Sequence, residues 1–253
     1  MLRRDFLWIA SCALATSASA AGTLIELVEQ ASPSVVAVGT YDPLKSPRFN
    51  FRGTGFIVGS GTQVVTNAHV LPQANDPVAD DRLAVLFQRA GATPDVRMAR
   101  RQGFDPSHDL AVLQIDGPAI TALPLATGPL VKAGQSVALI GYPLGTALGF
   151  KPVVHRGIVS AVTAIALPPP TARQLDERTL ARLKEGAFDI LQLDATAYPG
   201  NSGSPLLDAD TGQVIGIINM VYVKSTKESA VGQPTGITYA IPVRYVVDLL
   251  GRP

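Results

Sequence analysis

The stretch Gly200-Asn201-Ser202-Gly203-Ser204-Pro205 sets one serine between small residues late in the chain. Glycines on both sides let the backbone turn sharply, so that main-chain N–H groups approach a substrate carbonyl where Cβ atoms would obstruct it. A serine hydroxyl is a weak nucleophile by itself and needs a base beside it. The stretch therefore predicts a nucleophile only if a histidine reaches Ser202 in the fold.

Two earlier segments supply the base and an acid. His69 follows the apolar run that ends in Val65-Thr66-Asn67-Ala68, and Asp109 opens the apolar run Leu110–Leu113. The chain order His69, Asp109, Ser202 is the order of the chymotrypsin-type catalytic triad.

Other orders fit the positions less well. An α/β-hydrolase order is excluded for Ser202, because all three histidines precede it, and Ser204 stands where the motif G-x-S-x-G needs its last glycine. A subtilisin-like order can be forced from Asp109, His155 and Ser202. However, the long alternation of helices and parallel strands that such a fold requires is missing.

Length and composition favour an all-β protein. A chain of 253 residues can bury a large core, either as one double-barrel unit or as two small domains. Frequent Gly and Pro between short β-branched runs predict many turns. Without the first twenty residues, 19 basic and 19 acidic residues remain, and this zero net charge gives no indication of binding to nucleic acid or to an anionic membrane.

The first twenty residues are typical of an export signal. Arg3-Arg4 form the charged start, an apolar centre begins at Phe6, and Ala18-Ser19-Ala20 is a small-residue cleavage site. We expect cleavage after Ala20 and a periplasmic or secreted protein; the arginine pair resembles a twin-arginine signal, and the general secretory route stays open. An uncleaved anchor is disfavoured, because the apolar stretch is shorter than the about 20 residues that span a bilayer. Cys12, the only cysteine, lies in this signal, so a mature chain would have no disulfide; lipoprotein cleavage at Cys12 is the alternative.

Short β-rich runs form two sets of six, separated by a stretch at 116–134 that is rich in Gly, Pro, Ala and Thr. They predict a pair of closed barrels over 21–125 and 126–253, with a cleft between them. The first set is Val35–Tyr41, Thr54–Val58, Gln63–Asn67, Leu83–Phe87, Arg97–Arg101 and Leu110–Ile115; the second set is Ser136–Tyr142, Val153–Thr163, Ile190–Asp194, Pro205–Leu207, Val214–Val221 and Ile237–Ile241.

Three segments predict helices. Thr23–Ala31 is short and precedes a proline, and Val243–Leu250 is amphipathic and stops at Gly251, so we expect it to pack on the second barrel. Thr171–Lys184 is charged with leucines at near-helical spacing, which predicts a surface helix inserted in a loop of the second barrel.

At these motifs the chain resembles the HtrA (Deg) group of trypsin-like serine proteases. The resemblance implies a chymotrypsin-like double β-barrel with His69, Asp109 and Ser202 as the triad, and the N–H groups of Gly200 and Ser202 as an oxyanion hole. It also implies protein or peptide substrates, no cofactor or metal, and a possible homotrimer. The matching stretches are Gly53–Val58, Val65–Val70, Asp109–Leu113, Gly157–Ala161, Asp194–Gly203 and Tyr239–Pro242.

The chain also departs from that group. The best-known members carry a PDZ domain, which we do not expect here. Ser204 replaces a glycine and is similar to the glutamyl endopeptidase branch, but the histidine which that branch needs on Val214–Val221 is absent. No Ile-Val-Gly-Gly start is present either, so activation by trimming at such a start is not expected.

Substrate-binding residues follow from the same alignment of motifs. Thr196 lies six residues before Ser202, where trypsin keeps its specificity acid, so the primary pocket would lack a charge and favour small or medium aliphatic residues. We expect Asn219, Met220 and Val221 to offer a main-chain edge that binds the substrate as an added strand.

The remaining polar candidates have ordinary interpretations. His108 precedes Asp109 and should point away from it to the surface, and His155 has no motif around it; no H-E-x-x-H pair indicates zinc. Asp105, Asp116 and Asp194 are rival acids. The leading hypothesis is an exported serine endopeptidase; a chaperone-like or binding module on a protease scaffold, and an esterase, are the alternatives.

Overall fold

The computed structural model describes residues 23–73, 82–88, 93–143, 145, 150–165, 188–219 and 237–252. These residues form twelve β-strands and two short α-helices. The strands are β1 Val35–Tyr41, β2 Phe49–Val58, β3 Gln63–Asn67, β4 Arg82–Phe87, β5 Asp95–Asp105, β6 Leu110–Ile115, β7 Ser136–Gly141, β8 Val153–Ile165, β9 Phe188–Asp194, β10 Pro205–Asp208, β11 Val214–Asn219 and β12 Ile237–Pro242; the helices are α1 Leu24–Ala31 and α2 Arg244–Leu250.

The strands close into two barrels with the same topology. The order around the first barrel is β1-β2-β3-β6-β5-β4, and around the second it is β7-β8-β9-β12-β11-β10. The prediction of an all-β double barrel is therefore confirmed. The signal at 1–20 and the predicted helix Thr171–Lys184 lie outside the described residues.

Strand β1 shows why its sequence is apolar without alternation. Val36 and Val38 fill the interior of the first barrel. Val35 and Ala37 belong to a second cluster, which continues into Ile140 of the other barrel. Since both faces of the strand are buried, an unbroken apolar run is the expected sequence. One continuous apolar cluster therefore packs the two barrels against each other.

Helix α1 begins at a capping box. Thr23 Oγ1 accepts the N–H of Glu26 at 3.3 Å, and Glu26 Oε2 accepts the N–H of Thr23 at 2.8 Å.

No helix in the described part of the chain is long and apolar enough to cross a membrane.

Helix α2 packs differently from the prediction. It leaves β12 of the second barrel, but Leu249 lies over Gly103 and Val112 of β5 and β6 in the first barrel. The helix therefore ties the two barrels together, and the expectation that it covers the second barrel was incomplete.

Candidate active site

His69 and Asp109 form a hydrogen-bonded pair. His69 lies in a single 3-10 turn, Ala68–Val70, which directly follows β3. Asp109 precedes β6, the neighbour of β3, and the register of the two strands pairs Asn67 with Leu110. The two side chains therefore emerge at the same barrel end, where Nδ1 of His69 lies 2.6 Å from Oδ2 of Asp109 and the N–H of His69 donates to Oδ1 at 2.8 Å. One contact therefore orients the imidazole and the other holds its main chain, and Nε2 has no hydrogen-bond partner among the described residues.

Asp109 holds a conformation that the surrounding structure must enforce. Its φ is +55°, which is uncommon outside glycine. Its carbonyl accepts the N–H of Ala68 at 3.0 Å and the side-chain amide of Asn67 at 3.1 Å. Its Oδ2 also accepts the Asn219 amide at 2.7 Å, across the interface from the second barrel. Both barrels therefore position the acid.

Ser202 lies in the loop between β9 and β10 and is 6% exposed. Its carbonyl accepts the N–H of Thr54 at 2.8 Å, so strand β2 of the first barrel fixes the loop. Gly203 has a φ of +87°, and a Cβ there would lie 2.0 Å from the Thr54 carbonyl oxygen. Only glycine allows this close approach.

Some main-chain N–H groups of the same loop donate hydrogen bonds within the described structure, and others do not. Those of Asn201, Gly203 and Ser204 donate to main-chain carbonyls at 2.9 to 3.0 Å. Those of Gly200 and Ser202 donate to no described residue. Two N–H groups without a partner among the described residues, beside a buried serine, are what an oxyanion hole requires.

Thr54 of β2 holds this loop from the first barrel. Its Oγ1 donates to the Gly200 carbonyl at 2.7 Å and accepts the N–H of Tyr142 at 3.0 Å. The Tyr142 hydroxyl in turn donates to the carbonyl of Val35 at 3.2 Å, and burial raises the pKa of Tyr142 to about 12. A buried chain of hydrogen bonds thus joins β1 and β2 of the first barrel to the turn at Gly200.

Gly53 lies between the turn that carries His69 and the loop that carries Ser202. A Cβ at this position would lie 2.7 Å from Val70 Cγ2 and 3.0 Å from the Ser202 carbonyl oxygen. Val70, the residue after His69, and the main chain of Ser202 therefore flank the same glycine. Within the described residues no hydrogen bond joins the His69 ring to the Ser202 hydroxyl. Such bonds are often long in unliganded enzymes and shorten when a substrate binds.

The predicted substrate-binding residues lie in different surroundings. The prediction for Asn219 concerned its main chain and stays a prediction, and its side chain additionally reaches Asp109. Thr196 is partly buried and lines an open groove together with Arg156 and Asp194. Met220 and Val221 lie outside the described residues.

The rival acids lie elsewhere. Asp116 pairs with Arg100 at 3.4 Å on the surface, Asp194 is exposed, and Asp105 accepts His108 instead of His69. His108 was predicted at the surface, but it is half-buried against aromatic side chains, because the turn before Asp109 folds it toward α2.

Sequence reasoning missed the supporting contacts of three polar residues. Thr54 and Asn67 lie inside matching stretches but were given no role, and the side chain of Asn219 was not considered; their only signal is a polar residue inside an otherwise apolar strand. Asn201 and Ser204 are also fully buried, and their side-chain polar atoms have no hydrogen-bond partner within the described residues.

Known proteins agree with this fold and place the chain in a family. Residues 53–217 match the model of the trypsin-like peptidase domain. The chain belongs to the trypsin-like peptidase family. The resemblance to the HtrA (Deg) group is also confirmed by individual relatives.

A probable periplasmic serine endoprotease DegP-like from Pseudomonas fluorescens is 30% identical over 262 residues, covering 88% of this chain and 47% of that protein. Protease Do-like 1, chloroplastic, from Arabidopsis thaliana is 31% identical over 242 residues, which cover 90% of this chain and 47% of that protein. The chain thus spans about half the length of these curated relatives. The crystal structure of Deg5 is 29% identical with a TM-score of 0.62, covering 88% of this chain and 90% of that one. The crystal structure of the serine endoprotease from Yersinia pestis is 26% identical, with a TM-score of 0.62. The match covers 90% of this chain and 65% of that one.

Proposed function

We propose that this protein is a serine endopeptidase, with Ser202 as nucleophile, His69 as general base and acid, and Asp109 as the group that orients His69. The observation that carries the proposal is the pairing of His69 and Asp109 at 2.6 Å in the first barrel, against which the N–H of Thr54 holds the buried Ser202 loop of the second barrel. Family membership supports the assignment.

The reaction runs in two halves. His69 Nε2 takes the proton of the Ser202 hydroxyl as Oγ bonds to the substrate carbonyl carbon, and returns that proton to the leaving amine as the C–N bond breaks. Water then attacks the acyl-enzyme with the same proton path, releasing the new carboxyl end and restoring the serine. Asp109 stabilises the cationic imidazole without taking its proton.

The N–H groups of Gly200 and Ser202 hold the negative oxygen of each tetrahedral intermediate. Both groups are free of described partners, which supports this role. Loss of one such donor costs about 10²–10³ in rate.

The substrates we propose are proteins or peptides with a small or medium aliphatic residue before the cut. Thr196 brings no charge to the position where trypsin has its specificity acid, and the main chain from Asn219 to Val221 would pair with the substrate as an added strand. A peptide library tests this proposal: dominance of basic or acidic residues before the cut would reject it. We propose no metal or cofactor.

We place the protein in the periplasm or outside the cell, after removal of residues 1–20. The charged start and apolar centre of that segment support export, and the relative from Pseudomonas fluorescens is named as periplasmic. We expect no nucleic-acid partner and no stable membrane insertion once the signal is removed. N-terminal sequencing of the exported protein tests the cleavage site, and sedimentation analysis tests the proposed homotrimer.

Hydrolysis of unfolded casein tests the proposed activity. We expect fragments from the wild type and none above background from Ser202→Ala or His69→Ala. Ser60→Ala, at an exposed serine in the turn after β2, is the matched control and should cut like the wild type. Casein that is bound but left intact by the folded wild type would favour a chaperone-like binding module instead.

A further inference from the structure

The last residue of β5 and the turn that follows it form a second, separate acid–histidine pair. Asp105 is only 3% exposed, and its carboxylate accepts the ring N–H of His108 at 2.9 Å, the main-chain N–H of His108 at 3.2 Å and the Arg252 guanidinium at 3.2 Å. Ser107 adds its main-chain N–H at 3.1 Å and its hydroxyl. Burial by itself would raise the pKa of the Asp105 carboxyl, but hydrogen bonds from His108 and Ser107 hold that pKa well below its usual range. The turn is therefore built around a buried anion.

The other side of the His108 ring faces the second barrel. It stacks on Tyr245 of α2, with centroids 4.1 Å apart and planes at 20°, and meets the edge of Phe188 at 5.0 Å. Tyr245 is itself fixed, because its hydroxyl accepts the N–H of Asp189 at 3.2 Å and the Arg244 guanidinium at 2.9 Å. The ring of His108 thus lies between the turn of one barrel and the helix that leaves the other.

His108 is also the residue directly before Asp109. The φ of +55° at Asp109 is a strained conformation, and its carboxylate must stay within hydrogen-bonding distance of both His69 and Asn219. Fixing His108 at its N–H, at its ring nitrogen and at its ring face leaves the following residue little freedom to relax. Neither His108 nor Asp105 bonds to His69 or Ser202 within the described residues, so any effect on the reaction must pass through Asp109.

We propose that His108 is a positioning residue, which transmits the packing of Tyr245 on α2 to the catalytic acid Asp109. This inference rests on the proposed serine-endopeptidase function and adds to it that the acid is aligned from the second barrel by an aromatic stack as well as by Asn219. Its consequence is that contacts at α2, away from the cleft, set the rate of the chemical step.

The first test is kinetic, with an internally quenched peptide that has valine before the cut. His108→Ala and Tyr245→Ala should each lower kcat by about 10-fold, toward the about 10²-fold that a misplacement of 1 Å can cost, and leave KM within about twofold. The double variant should lose no more than the more damaged single variant, since both remove the same stack. Tyr245→Phe keeps the ring and loses only the hydroxyl contacts to Asp189 and Arg244, so it should lower kcat less than Tyr245→Ala does. Phe87→Leu, a buried aromatic change on β4, is the control for packing alone and should lower only the melting temperature.

The second test does not depend on activity. The proton between His69 Nδ1 and Asp109 Oδ2 should give a separate resonance in ¹H NMR of protein with ¹⁵N-labelled histidine. The measurement is made in the Ser202→Ala background, which keeps this proton and cannot digest itself. His108→Ala should shift or broaden it, and Phe87→Leu should not. If the wild type failed to cleave peptides, this resonance would still decide the question of positioning.

Unchanged kcat and an unchanged resonance in His108→Ala, with only a lower melting temperature, would overturn the proposal. If His108→Ala does not fold, His108→Gln takes its place, because its amide can still donate to Asp105 while the stack is lost. The same about 10-fold loss of kcat is expected from it, and a wild-type kcat would equally overturn the proposal.

Discussion

Thr54→Val removes one hydroxyl from below the proposed oxyanion hole and keeps the size of the side chain. Thr54 is fully buried, and its Oγ1 serves both the Gly200 carbonyl at 2.7 Å and the N–H of Tyr142 at 3.0 Å. The variant leaves both main-chain groups unpaired, and each unpaired buried group costs about 1–3 kcal/mol. We therefore expect the free energy of unfolding to fall by about 2–5 kcal/mol, because small backbone movements recover part of the loss.

The same change should slow the reaction, because the carbonyl of Gly200 is no longer held. The N–H donors remain present but are less well oriented, so the loss of kcat should be about 10- to 10²-fold, less than the about 10²–10³-fold for a deleted donor. Thr238→Val is the matched control: Thr238 is 1% exposed and donates to the Ala195 carbonyl at 2.7 Å in the second barrel. It should lose stability and keep kcat.

Urea denaturation and peptide hydrolysis at saturating substrate measure the two quantities. The reasoning is refuted if Thr54→Val keeps the wild-type kcat, or if Thr238→Val loses kcat to the same extent. In the first case the hydroxyl would support only the fold, and in the second the rate would merely follow stability.

Three further changes test other parts of the account. Asp109→Asn should lower kcat by about 10⁴-fold, since an amide no longer selects the reactive ring tautomer; a kcat within tenfold of wild type in steady-state assays would contradict the assignment of the acid. Gly203→Ala should lower the free energy of unfolding by about 2 kcal/mol or more, measured by thermal denaturation, because it adds a close contact to a positive φ. Gly134→Ala has a φ of +88° and no atom within 4 Å of the added Cβ, so it should lower that free energy by only about 1 kcal/mol. Burial lowers the pKa of His155 below its ordinary 6.5, so the unfolded chain takes up the proton first and stability should fall as the pH drops below about 6.5. Unfolding curves of His155→Gln should lack that component, and an identical pH dependence in both proteins would rule it out.

The fold could be predicted from the sequence because strand signals are local. Runs such as Val35–Tyr41 and Leu110–Ile115 have the same bounds in the structure. The boundary errors elsewhere lie at the ends of strands, as at Phe49–Val58, where residues 49–52 alternate between aromatic and polar and continue the ladder with β1. The order of the three candidate catalytic residues was also legible, since each lies in a compact motif.

The supporting contacts could not be predicted, because they join residues far apart in sequence. Asn219 and Asp109 are 110 residues apart, and Thr54 and Gly200 are 146 apart. No periodicity predicts which polar side chain will meet which carbonyl across two barrels. The predicted surface position of His108 was wrong for a related reason. The prediction applied the alternation of side chains along a strand to a residue in a turn, where the backbone does not follow that alternation.

Covalent labelling by a fluorophosphonate tests the central claim most directly. It reacts with a serine only when a base and an oxyanion hole act on that serine together. The account predicts one adduct per folded chain, found by mass spectrometry on Ser202, with none on Ser202→Ala and strongly slowed labelling of His69→Ala. A folded wild type that stays unlabelled, or an adduct that persists in Ser202→Ala, would contradict it.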